Sequence, residues 1–215
     1  DDSGLAVSRD YTLLVGTDIT LDDPGNYVHG TVTLNASLVD TCDTPGTVIK
    51  IQYALAGADV NGDGLADVIA ASGAGMRGTV RVFSSSTKAA LLFKLSSTTF
   101  VGPATFTGGL FIASADLTGD GKAELIVGND RGGTPQVSVI RGGAKLGAVT
   151  SFNAMADSFT GGIRVGVAST GDLLPSIVTG TGPGIAAQVN LFDGRDYSRL
   201  DTLFSLADGL NGVRV

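Results

Sequence analysis

The sequence predicts an all-β chain: a β-propeller, or an open propeller segment, of about four four-stranded blades. Three observations lead to it. The chain repeats itself with a period of about 55 residues, each copy holds short apolar or alternating runs separated by Gly-rich turns, and long amphipathic helices are missing. Composition agrees, because 32 glycines, no Trp and only 16% charged residues suit short strands joined by tight turns.

The repeat is clearest in three apolar strands, Asp67-Val-Ile-Ala-Ala, Glu124-Leu-Ile-Val-Gly and Ser176-Ile-Val-Thr-Gly, each followed by a Gly-rich turn. An alternating strand then follows at the same distance, around Val80 in TVRVF, Val137 in QVSVI and Val189 in QVNLF. A fainter copy lies upstream, in Thr12-Leu-Leu-Val-Gly and Thr31-Val-Thr-Leu-Asn, with the longer loop LDDPGNY between. Linkers with a shared ending, FTGG at 106–109 and 159–162 and GLNG at 209–212, lead into new strands.

Each unit therefore reads as four strands. One enters an acidic loop, one leaves it, the alternating strand comes third, and a run such as 90–95 or 200–206 comes fourth. The boundaries are a degenerate first repeat at 1–50, repeats at 51–109, 110–162 and 163–209, and the start of a further strand at 210–215, all in one domain. A sheet of this kind cannot bury both faces alone, so successive units are expected to pack face to face around an axis.

Two loops carry chemistry. Asp59-x-Asn61-x-Asp63-Gly64-Leu65-x-Asp67 sets oxygen donors at alternate positions and a glycine where the chain must turn sharply. Ca²⁺ takes six to eight oxygens, and this spacing lets one short loop supply several, the Leu65 carbonyl among them. The second copy is Asp116-x-Thr118-x-Asp120-Gly121-Lys122-x-Glu124, expected to bind more weakly because Thr118 is the poorer donor. An EF-hand would need a bidentate Glu at the twelfth position and flanking helices, yet Ala70 and Val127 stand there within apolar strands. The rival reading is an Asp/Asn/Gly turn held by side-chain to backbone hydrogen bonds. No metal is expected at the third copy, 168–176, with its one carboxylate Asp172, nor at Ser8-Arg9-Asp10.

The segments DVNGDGLADVIAAS and DLTGDGKAELIVGN, the FTGG linkers and the turn GTGPG at 180–184 resemble the FG-GAP or VCBS-type repeats of integrin α-chain propellers and bacterial surface proteins. The resemblance covers 51–215 well and 1–50 poorly. It implies Ca²⁺ at two sites, held by Asp59, Asn61, Asp63, Leu65 and Asp67, and by Asp116, Thr118, Asp120, Lys122 and Glu124. It also implies a secreted or cell-surface protein, non-enzymatic, acting in adhesion or as a self-assembling filament or surface-layer subunit. The alternative is a carbohydrate-binding propeller module, or an accessory domain of a secreted hydrolase, binding a glycan.

Other signals are weaker. Gly73 to Gly78 spell G-x-G-x-x-G, but a dinucleotide needs a helix after it, and TVRVF follows. His29 has no nucleophile motif beside it, and acids that recur at the same place in successive repeats are not what one active site requires. Cys42 is a lone thiol, which excludes an internal disulfide. Tyr11, Tyr27, Tyr53 and Tyr197 do not share a repeat position, and Asp22 to Tyr27 is the best candidate for a specialised binding loop.

No basic run favours nucleic acid, and no apolar stretch is long enough for a transmembrane segment. No signal peptide precedes Asp1, so an exported chain would be a mature or trimmed form. Expected partners are other proteins or copies of the same chain, reached by terminal strand addition at a sheet edge.

Overall fold

In the computed structural model the chain divides into two units, residues 1–50 and 51–215. The structure describes 53–75, 77–86, 91–96, 106–143, 145, 148–169, 174–206, 212–213 and 215. The degenerate first repeat, with His29, Cys42, Tyr27 and the loop from Asp22, lies outside the described residues.

Among the described residues, twelve strands form three four-stranded antiparallel sheets, each a simple meander. The first holds β1 (Tyr53–Ala58), β2 (Asp67–Ser72), β3 (Thr79–Phe83) and β4 (Leu91–Ser96). The second holds β5 (Leu110–Ala115), β6 (Glu124–Asn129), β7 (Gln136–Ile140) and β8 (Val149–Asn153). The third holds β9 (Ile163–Ala168), β10 (Ser176–Thr181), β11 (Ala187–Phe192) and β12 (Arg199–Leu206). Among the described residues there is no helix, and none that could cross a membrane.

The sheets stack as blades do. The first strands pack in succession, β1 on β5 and β5 on β9. Period-two alternation explains how the middle sheet serves both neighbours: Leu125 and Val127 of β6 join a core with Ile69 and Val82 of the first sheet. Ile126, between them, joins a second core with Ile163 and Ile177 of the third. Both faces of β6 are covered, so all six of its residues are buried and the run 125–128 is continuously apolar rather than alternating.

Linkers fasten each blade to the one before. The Thr107 carbonyl accepts the Gly75 N–H at 2.8 Å, and the Thr160 carbonyl accepts the Gly132 N–H at 2.8 Å. Gly73, Gly75 and Gly78 therefore fall between β2 and β3, with Gly75 bonded to a linker. The last glycine of each linker takes the left-handed conformation that side chains resist: Gly109 (φ 96°), Gly162 (φ 92°) and Gly212 (φ 77°). Phe106 and Phe159, at the linker starts, are buried.

The last described residues continue the pattern. A Cβ on Gly128 of β6 would meet the Ile163 carbonyl and, at 3.0 Å, Val165 Cγ1; one on Gly180 of β10 would meet the Val213 carbonyl and Val215 Cγ1, each at 3.0 Å. Val213 and Val215 thus sit on the face of the third sheet as Ile163 and Val165 sit on the second. Val213 also donates its N–H to the Thr181 carbonyl at 2.8 Å.

Candidate metal centre

Both acidic loops hang between the first two strands of a sheet, and the register places them identically. Ala58 pairs with Asp67, and Ala115 pairs with Glu124, so eight residues (59–66 and 116–123) make each connection. In the third sheet Ala168 pairs with Ser176, leaving only seven (169–175). The sequence aligned Ala168 with Asp59 and Asp116, but by register it matches Ala58 and Ala115. One loop residue is missing, and Asp172 lies outside the described residues.

The two complete loops are built alike. Their fourth and sixth residues are glycines with positive φ: Gly62 (82°) and Gly64 (84°), Gly119 (77°) and Gly121 (80°). That backbone turns successive N–H groups toward the first carboxylate. Asp59 Oδ1 accepts from Gly62 (2.7 Å) and Asp63 (3.1 Å), and its Oδ2 from Gly64 (2.7 Å). Asp116 Oδ1 accepts from Gly119 (2.6 Å) and Asp120 (3.2 Å), and its Oδ2 from Gly121 (2.8 Å).

The fifth-position acid takes the N–H two residues on, Leu65 to Asp63 Oδ1 and Lys122 to Asp120 Oδ1, both at 3.0 Å. Asp63 Oδ2 accepts two further bonds, from Asn61 Nδ2 at 3.0 Å and from Ser86 Oγ at 2.8 Å. These donors hold the Asp63 carboxyl below its ordinary range, the Ser86 hydroxyl contributing most.

The ninth-position acids are different. Asp67 is 0% exposed and Glu124 2%, rare burial for a carboxylate. Asp67 Oδ2 accepts from Val60 (3.0 Å) and Asn61 (3.3 Å), and Glu124 Oε2 accepts from Leu117 (2.9 Å), so both head groups lie under the loop backbone. The other oxygens, Asp67 Oδ1 and Glu124 Oε1, are buried without any partner. Burial pushes both carboxyls above their ordinary values, with neighbouring Asp59 and Asp63, or Asp116 and Asp120, adding repulsion.

Among the described residues, no three acidic groups are gathered into a ligand cluster. The first and fifth acids instead bond loop amides, as the sequence's rival reading expects. Capacity for a cation nonetheless remains. An ionised carboxylate offers about four lone-pair sites, and Asp59 spends three of them while Asp67 keeps one oxygen wholly free. An unpartnered buried carboxylate oxygen, in a loop whose other side chains at alternate positions also carry oxygens, fits a hard divalent ion. Leu65, 51% exposed, and Lys122 contribute no acidic group, only backbone at the seventh position.

The loops also touch one another. Asp59 O accepts the Ala123 N–H, and Val60 O the Gly143 N–H, both at 2.7 Å. The Lys122 side chain crosses to the first loop, where a Cβ on Gly62 would lie 2.9 Å from Cε.

Family comparison meets this geometry directly. Residues 59–127 match the FG-GAP-like repeat model, beginning at the first acidic loop, and residues 108–152 match the FG-GAP repeat model, beginning in the linker before β5. Residues 59–152 are FG-GAP-type repeats. Among curated proteins, none has a sequence that matches this chain. Solved structures similar to the chain include rhamnogalacturonan lyase YesW, at 15% identity and TM-score 0.48, matched over 76% of this chain and 36% of that one. Exotype rhamnogalacturonan lyase YesX gives 15% identity and TM-score 0.48, over 75% and 34%. The chain spans about a third of the length of these structures.

Ser86 was not legible as part of the site. Its only signal is position, in the Ser-rich turn 84–86 at the end of the repeat's alternating strand.

Proposed function

We propose that the unit 51–215 is a non-enzymatic, calcium-binding propeller module of a secreted or cell-surface protein. It serves adhesion or self-assembly with other proteins or copies of the same chain. The observation that carries the calcium reading is the buried, unpartnered carboxylate oxygen at the ninth position of each complete loop. A bound Ca²⁺ would supply countercharge to the acids of each loop, with Asp59, Asn61, Asp63, Leu65 and Asp67, and Asp116, Thr118, Asp120, Lys122 and Glu124, as its ligands. The chain's own part is to present these oxygens and exclude water from the ninth-position carboxylate.

The same loop geometry recurs in consecutive sheets, which suits an ion that fastens each repeat rather than a single reaction centre. Val213 and Val215 pack beside Gly180 on the third sheet, the face against which an added strand would assemble. The test is thermal unfolding with chelator and with calcium. Calcium should raise the melting temperature, and Asp63→Ala should remove much of the rise; equal melts in both buffers would reject the calcium reading.

A further inference from the structure

The fifth-position acid of the first loop, Asp63, is braced by a side chain from outside the loop, and among the described residues Asp120 of the second is not. Ser86 lies in the turn after β3, far along the chain from the loop, yet its hydroxyl reaches Asp63 Oδ2 at 2.8 Å. The direction of that bond is fixed, because an ionised carboxylate can only accept. Ser86 Oγ is also 2.8 Å from Ser84 Oγ, so with its proton on Asp63 it accepts from Ser84. Ser84 Oγ in turn accepts the Ser86 N–H at 3.1 Å. Ser84 is 1% exposed, and so the relay is anchored in the body of the first sheet.

We propose that Ser86 is a positioning residue for cation binding at the first loop, holding the Asp63 carboxylate in place through the Ser84–Ser86–Asp63 chain. This rests on the calcium reading above. With Oδ1 tied to the Leu65 N–H and Oδ2 to Asn61 and Ser86, the Asp63 head group is fixed at both oxygens before any ion arrives. Fixing a ligand by outer hydrogen bonds raises metal affinity, typically by ten- to a hundredfold. The equivalent turn of the second sheet is Arg141-Gly142-Gly143, which has no hydroxyl, so Asp120 lacks this brace. Ser86 therefore makes the two loops unequal, favouring the first.

The experiment is calorimetric Ca²⁺ titration of the whole chain in two backgrounds, Asp120→Ala to isolate the first loop and Asp63→Ala to isolate the second. Ser86→Ala should weaken the first loop roughly tenfold and leave the second unchanged, while Ser86→Thr, which keeps the hydroxyl, should stay near the parent. An unchanged or tighter first loop in Ser86→Ala, with the parent binding calcium, would overturn the positioning role and leave the calcium reading standing. A parent that takes up no calcium would overturn both. A melt of Ser86→Ala in chelator equal to the parent's excludes general loss of folding as the cause.

Discussion

Replacing Asp67 by Asn separates a loop that is merely a turn from one that waits for a cation. The substitution keeps shape and keeps an oxygen for the Val60 and Asn61 N–H groups. It removes the charge of a side chain that is 0% exposed and has one oxygen unpartnered. In chelator, relief of the buried charge and of repulsion by Asp63 and Asp59 opposes the cost of an unpaired amide, itself about 1–3 kcal/mol. The melt should therefore move by no more than a few degrees. In calcium the first loop loses its central anion. An ion at about a hundred times its dissociation constant stabilises by about 2.7 kcal/mol, and a domain this size gains about 2–4 °C per kcal/mol. Asp67→Asn should thus cut the calcium-induced rise by about 5–11 °C. Differential scanning calorimetry of parent and variant in both buffers reads it, and an equal fall in both would refute the reasoning.

Three further outcomes follow from the same structure. Gly64→Ala meets nothing within 4 Å but forces a side chain onto φ +84°, so about 1–2 kcal/mol should be lost in denaturant melts, with weaker calcium binding. Gly128→Ala drives a Cβ into the Ile163 carbonyl between the second and third sheets and should cost about 1–3 kcal/mol, equally with and without calcium. In chelator, Asp67 and Glu124 have folded values raised above the ordinary 3.8 and 4.5. Their stabilising contribution is complete below those values and is lost as pH rises through the raised ones. Asp63, depressed, acts oppositely, but only below about its ordinary value. Melts from about pH 5 upward should show these two groups lowering stability in chelator, while the calcium-induced gain grows because ligands must be deprotonated.

Much of the fold was legible because repetition and alternation are properties of sequence. Asp67, Glu124 and Ser176 start the second strands as expected, and the FTGG endings do lead into β5 and β9. The dinucleotide-like Gly73 to Gly78 resolved once TVRVF was read as a strand, which β3 is. The third loop was less legible, because its missing residue shows only in the Ala168–Ser176 pairing. Within the acidic loops, residue type suggested a cation but not the division of labour. That Asp59 and Asp116 gather amides while Asp67 and Glu124 are buried depends on strand pairing and on what lies over each loop. Ser86 was hidden for the same reason, since its link to Asp63 exists only when the β3–β4 turn folds beside the β1–β2 loop.

The central claim is that the two complete loops hold calcium. Native mass spectrometry of chelator-stripped protein, titrated with Ca²⁺, tests it most directly. The account predicts two bound ions, one after Asp63→Ala or Asp120→Ala, and none after both; no uptake, or the same uptake in all four proteins, would contradict it.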